Sequence, residues 1–241
     1  MIAFFTCNFN HLLSIGKEKD MIDIEKYILQ LIESLRCKFG ARLLYVGLQG
    51  SYLRGEATDR SDIDIMVVID ELTVSDMDQY RAIIRSMEHS DKSCGFICSR
   101  SDLANWNPLE LWNLVNGTRD YYGALRELIP AYTELDTRNF AKVSLNNLYH
   151  EICHRYIHAS PDRNAEALSG TYKGVFFILQ TVYYLRHGQY IATKAELLPL
   201  LEGKDRAVME RALSLEEGAS YDFSDSFTLL FTWCQQTLTS L

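Results

Sequence analysis

Two aspartates one residue apart, in Ser61-Asp62-Ile63-Asp64-Ile65-Met66-Val67-Val68, are the side chains of this 241-residue sequence whose types and spacing most directly suggest chemistry. On a strand side chains alternate, so Asp62 and Asp64 project from one face about 7 Å apart while Ile63 and Ile65 pack on the other. Two carboxylates so placed can share one Mg²⁺, a hard cation that keeps several waters and completes its shell with substrate phosphates. The complement lies upstream, in Val46-Gly47-Leu48-Gln49-Gly50-Ser51-Tyr52-Leu53-Arg54-Gly55. There Gly50 lets backbone approach a phosphate closely. Ser51, where a short helix begins, offers N–H groups and the positive helix end to an anion. A lone Asp-x-Asp is more often a solvated edge or turn; here the glycine-serine turn gives it something to face.

The surrounding pattern supplies elements that could position these groups. Apolar residues at helical spacing (Ile22, Ile24, Tyr27, Ile28, Leu31, Ile32, Leu35) predict a first helix over residues 20–39, stopped by Gly40. Residues 43–48 read as a buried strand, 63–69 as a second, 75–89 as a helix and 94–98 as a third strand. This alternation predicts an α/β (α+β) domain with a small mixed sheet. After Asn105 the strands are expected to end, and the rest reads as helix. Leu145, Leu148, Ile152 and Tyr156 share one helix face, and residues 175–185 are apolar nearly all round, as in the central helix of a bundle. The predicted division is 1–135 for the sheet-containing domain and 136–241 for an all-α helical-bundle domain.

With Gly-Ser closing one strand, Arg-Gly three residues on, and Ser-Asp-x-Asp opening the next, the sequence resembles the nucleotidyltransferase signature of the DNA polymerase β superfamily. The second half, Lys173-Gly174-Val175-Phe176 and His187-Gly188-Gln189-Tyr190-Ile191-Ala192-Thr193-Lys194, resembles the C-terminal domain of bacterial streptomycin/spectinomycin adenylyltransferases. Together the two cover residues 46–215, with a patchy stretch over 94–139. The resemblance implies transfer of AMP from ATP, with Mg²⁺, to a hydroxyl of a small cationic acceptor such as an aminoglycoside. It implies Asp62 and Asp64 as catalytic metal ligands, and Gly50, Ser51, Arg54, Ser61, Lys173 and Lys194 as nucleotide-binding residues. Thr193-Lys194-Ala195-Glu196 also reads as a capping box, which accounts for Thr193 and Glu196. It leaves a cation at the first helical position, where an anionic partner is the natural compensation.

The sequence departs from that pattern at one point. Such enzymes usually carry a third carboxylate on the following strand as metal ligand or general base, yet Cys94-Gly95-Phe96-Ile97-Cys98-Ser99 has none. Glu110 or Glu151 could reach in from a helix, the acceptor could need no strong base, or the protein could be a nucleotide-binding regulatory module that transfers nothing. A protein side-chain hydroxyl is another acceptor the sequence allows.

Other signals carry less weight. His150-Glu151-Ile152-Cys153-His154 matches the zinc-protease spelling, but Ile157 stands where the longer form needs glycine, and Glu166 is read as lying in a nearby loop. Cys94 and Cys98 are one residue too far apart for a zinc knuckle and read as packed or idle. Trp106, Trp112, Tyr121 and Tyr122 could stack an acceptor but are better read as sealing the domain interface. Asp162 and Glu166 lie where the drug-modifying relatives place acids that hold ammonium groups, without matching them in register. A net charge of −8 and the lack of a Lys/Arg cluster argue against nucleic acid. No apolar run reaches the ~20 residues of a membrane helix, and Met1-Ile2-Ala3-Phe4-Phe5 lacks the basic start of a signal peptide. Six scattered cysteines suggest reduced thiols and a cytoplasmic location.

Overall fold

The computed structural model describes residues 22–241, so the reading of the first five residues, Cys7 and the start of the first predicted helix lie outside the described residues. Helix α1 (Ile24–Phe39) is capped by Asp23, whose carboxylate accepts the Lys26 N–H at 3.0 Å, and buries Tyr27, Ile28, Leu31, Ile32 and Leu35. That is the predicted apolar stripe. Strand β1 (Leu43–Leu48), helix α2 (Gly50–Arg54), strand β2 (Ile63–Ile69), helix α3 (Val74–Ser86) and strand β3 (Ser93–Ser99) follow.

The sheet is mixed, with strand order β3-β2-β1-β4. β1 runs antiparallel to β2, while β2 and β3 are parallel with Asp64 opposite Cys94. Helices α4 (Arg100–Ala104) and α5 (Pro108–Asn116) lead to β4 (Arg119–Tyr122), which pairs antiparallel with β1. This strand corrects the expectation that strands end after Asn105. Its four residues show no alternation of apolar and polar, and tertiary contacts hold it in place: Tyr45 on β1 donates its hydroxyl to Asp120 at 2.6 Å.

Two apolar layers enclose the sheet. α1 and α3 cover Leu48, Ile63, Ile65, Val67 and Ile69, and on the opposite face Tyr45, Met66, Val68 and Cys98 pack with Leu103, Val115 and Leu125. Asp62 and Asp64 therefore share a face with Met66 and Val68, just where that apolar layer gives out.

The remaining helices are α6 (Glu134–His158), α7 (Pro161–Tyr172), α8 (Val175–His187), α9 (Lys194–Leu197), α10 (Gly203–Glu216) and α11 (Phe223–Ser240). They share one core around Phe176, Leu179, Met209, Leu230 and Trp233. α8 is buried on most sides, as its composition predicts. Its Gln180 is satisfied by donating to the Ile191 carbonyl at 2.6 Å, so a polar group in the bundle costs no unmet hydrogen bond. Trp112 on α5 packs on Tyr184 and Tyr190 with ring centroids at 4.6 and 5.6 Å, sealing sheet domain to bundle as expected. Burial of one such aromatic contributes on the order of 1.5–3 kcal/mol. Trp106 instead stacks on Phe96 at 5.8 Å inside the first domain. Among the described residues no helix is long and apolar enough to cross a membrane.

Candidate functional site

The site is assembled where β1 and β2 end side by side. Past Leu48 the chain turns through Gln49, whose N–H donates to the Asp64 carbonyl at 2.9 Å, and enters α2 at Gly50 with φ +70°. Both the left-handed backbone and the available space call for glycine here. A Cβ on Gly50 would lie 1.9 Å from Asp64 Oδ2, so the missing side chain leaves the carboxylate room beside the turn.

Burial raises the Asp64 carboxyl above its ordinary range; a Cys94 hydrogen bond opposes this, the neighbouring Asp62 charge adds to it, and Arg54 opposes it. Cys94 is the residue across the parallel ladder from Asp64. Its thiol is also raised, first by burial, against a Gly95 backbone hydrogen bond and reinforced by the negative Asp64 and Asp62. Gly95 has φ +108°, and a Cβ there would sit 2.1 Å from the Ile65 carbonyl, so glycine lets β3 close on β2 beside the carboxylates. Two hard oxygen donors on one face, repelling each other, with a glycine cradle over one of them, suit a hard divalent cation. The structure brings together Asp62, Asp64, Gly50, Ser51 and Arg54, and sequence reasoning overlooked Cys94. The signal for it lay in pairing: with Ile63 opposite Ser93, Cys94 must flank Asp64, but nothing in the strand's own sequence fixes that register.

On the other side of α2 the bundle closes in. Arg54, with its side chain 16% exposed, donates Nε to Glu56 Oε2 at 2.8 Å and lies over the rings of Phe176 and Phe177 at 5.9 and 5.6 Å. The other oxygen, Glu56 Oε1, accepts the Lys194 backbone N–H at 2.8 Å. Thr193 caps α9 by accepting the Glu196 N–H at 3.2 Å, and its hydroxyl donates to Glu196 Oε2 at 2.9 Å. Glu56, from the first domain, thus takes the first free N–H of this helix, while the anion expected opposite the Lys194 cation is Glu216. The Lys194 ammonium sits 6.0 Å from the Phe176 ring and is held by both Glu216 oxygens at 2.6 Å.

The other candidates are dispersed. The Ser61 hydroxyl accepts the Thr58 N–H at 2.9 Å, closing the turn before β2. Lys173 is exposed at the end of α7, three residues before Phe176. Glu110 accepts from Trp106 Nε1 at 2.8 Å and Glu151 pairs with Arg155 at 2.8 Å, so both have partners away from the aspartates. His150, His154 and His158 form an exposed stack on α6, with centroids 5.9 and 4.8 Å apart. Glu166 lies within α7, not in the loop expected, because Pro161 starts a helix there. Cys37, Cys94, Cys98, Cys153 and Cys234 are free thiols.

Residues 28–113 match the family model for the nucleotidyltransferase domain. Two proteins of Methanocaldococcus jannaschii, provisionally named protein adenylyltransferases, are similar in sequence. MJ1379 is 34% identical over 70 residues, 29% of this chain and 68% of that protein. MJ0604 is 44% identical over 46 residues, 19% of this chain and 46% of that protein, so the match to MJ0604 spans about half of its length. The fold is similar to that of spectinomycin adenyltransferase AAD(9) from Enterococcus faecialis, solved with ATP and spectinomycin. The TM-score is 0.54 at 16% identity, covering 89% of this chain and 99% of the other.

Proposed function

The chain belongs to the nucleotidyltransferase family, and from that premise we propose that it transfers AMP from ATP to a hydroxyl of a small cationic acceptor such as an aminoglycoside. The observation that carries this reading is the Asp62–Asp64 pair facing the Gly50–Ser51 turn, with Asp64 Oδ2 in the space a Gly50 side chain would fill. Likeness of fold to an adenyltransferase solved with ATP and spectinomycin supports the two-domain form of the proposal.

In this reading Asp62 and Asp64 would hold Mg²⁺, which when bound would supply charge neutralisation for pyrophosphate as it leaves. The α2 backbone N–H groups and the Ser51 hydroxyl orient the triphosphate, and Arg54, Ser61, Lys173 and Lys194 contribute donors and positive charge around it. The acceptor oxygen bonds to the α-phosphorus, the bond to pyrophosphate breaks, and the hydroxyl proton leaves to solvent or to a group on the acceptor. Cys94, opposite Asp64 in the parallel ladder, lies on the strand that the resemblance implies would carry a third carboxylate, and that strand has no acid. A second reading keeps the chemistry but makes the acceptor a protein hydroxyl; the names of the two archaeal relatives favour it.

The test is pyrophosphate release with ATP, GTP, CTP and UTP against an aminoglycoside panel and against unfolded and folded protein substrates. Release with ATP and an aminoglycoside is the expected outcome. Release with protein alone selects the second reading. Nucleotide binding without release from any pair rejects transfer altogether and marks a regulatory nucleotide-binding module.

A further inference from the structure

We propose that Glu56 is the positioning residue that joins the two halves of the nucleotide site, so that phosphate recognition by the bundle depends on a carboxylate supplied by the sheet domain. The inference rests on the function proposed above.

Glu56 lies just past Gly55, the left-handed residue at φ +68° that ends α2, and its own N–H donates to the Ser51 carbonyl at 2.9 Å. Its backbone is therefore tied to the phosphate-facing helix. Its two oxygens are shared between domains: Oε2 takes Arg54 Nε and Oε1 takes the Lys194 N–H, each at 2.8 Å. The carboxylate is only 23% exposed, so little water competes for either bond, and a charge-assisted bond in such a place is stronger than a surface one. Phe176 completes the seam, with the Arg54 guanidinium 5.9 Å and the Lys194 ammonium 6.0 Å from its ring centre.

One carboxylate thus fixes both the cation on α2 and the first residue of α9. Without Glu56, the Lys194 N–H loses its acceptor and Arg54 its counter-charge, and the bundle's cation is no longer registered against the turn that holds the aspartates. Glutamine cannot substitute fully, because its amide nitrogen donates where an acceptor is needed.

The experiment compares the parent with Glu56→Ala, Glu56→Gln, Lys194→Ala and the double variant Glu56→Ala/Lys194→Ala. Two readouts are taken: amide hydrogen exchange across residues 194–197 without ligand, and calorimetric affinities for ATP and AMP with Mg²⁺. Glu56→Ala is expected to speed exchange at the α9 amides and to lower the ATP-to-AMP affinity ratio about tenfold, with Glu56→Gln between it and the parent. The double variant should lose no more of that ratio than Lys194→Ala alone, because Glu56 acts through Lys194. Additive losses, or a Glu56→Ala protein with parental exchange and parental ratio, overturn the proposal. A parent that binds no nucleotide, even with faster α9 exchange in Glu56→Ala, overturns the functional reading and with it the nucleotide role of Glu56. Should Glu56→Ala not fold, Glu56→Gln carries the same comparison.

Discussion

In the proposed role the Lys194 ammonium shares or exchanges its Glu216 contact with a triphosphate, and that competition has a size. The ammonium lies 2.6 Å from both carboxylate oxygens, with the two side chains 23% and 36% exposed. A bare Coulomb figure at an effective dielectric of about 20 is near 4 kcal/mol for unit charges 4 Å apart. Solvent screening and the entropy of pinning two long side chains reduce such half-exposed pairs to roughly 0.5–1 kcal/mol. Glu216→Gln should therefore tighten ATP binding about two- to fivefold, since 1.4 kcal/mol is a factor of ten, while AMP binding stays unchanged. Lys194→Ala is the mirror experiment and should weaken ATP more than AMP, by ~1.5–3 kcal/mol for a charge-assisted bond. Thr193→Ala should mainly cost ~1 kcal/mol of fold stability through the lost cap. Isothermal titrations with ATP, ADP and AMP at two salt concentrations decide the matter. Equal tightening of all three nucleotides by Glu216→Gln, or none, would refute the exchange of partners at Lys194.

ATP should stabilise the fold only with a divalent cation, because triphosphate is repelled by two ionised aspartates; at one hundred times the dissociation constant the gain is about 2.7 kcal/mol. Thermal shifts of equal size with Mg²⁺ and with EDTA count against the metal site. The raised Asp64 carboxyl has a signed pH consequence. Its contribution to stability is full below the unfolded carboxyl value of about 3.9 and is lost as pH rises through the folded value. Asp64→Asn should therefore leave unliganded stability nearly unchanged in acid and raise it relative to the parent as pH approaches neutrality, while abolishing the metal-dependent shift. Denaturant midpoints across pH test this, and a destabilised Asp64→Asn at neutral pH marks the pair as structural. Cysteine labelling followed by mass spectrometry should modify exposed Cys37 first and spare Cys98 and Cys234, whose thiols burial pushes up to about 12. Mg²⁺ with ATP should slow labelling at Cys94, and unchanged labelling there would place the nucleotide elsewhere.

Much of the first domain was legible because its elements are local. The stripe on α1, the stop at Gly40 and the alternation of Ile63, Asp64 and Ile65 are written in neighbouring residues; they formed as read except that Ile22 lies outside the helix, which starts at Ile24 past its Asp23 cap. β4 was not legible: Arg119 and Asp120 form a strand only because β1 offers an edge, a partner more than seventy residues away. Glu166 shows the same limit from the other side. Pro161 and the spacing after it carry a helix, α7, where a short apparent loop was expected.

The site divides along the same line. Asp62, Asp64, Gly50 and Ser51 lie within fifteen residues of one another, and strand and turn chemistry suffice to face them together. Cys94 and Glu56 became visible only through pairing. Cys94 looks idle in its own strand and gains meaning from a parallel register that sets it against Asp64. Glu56 sits in an unremarked turn and gains meaning from a Lys194 N–H 138 positions away. The capping pattern at Thr193 identified a helix start whose cation needed an anion; it could not say that Glu216 of α10 would meet the ammonium and that Glu56 of the sheet domain would accept the backbone N–H. Since the Glu56 carboxylate also holds Arg54, the first N–H of α9 is satisfied by the same group that orients the phosphate-facing helix. A phosphate-binding role for Lys194 is therefore bound up with how the two domains are held, and substitutions at Glu56 and Lys194 should be read as one unit rather than as two contacts.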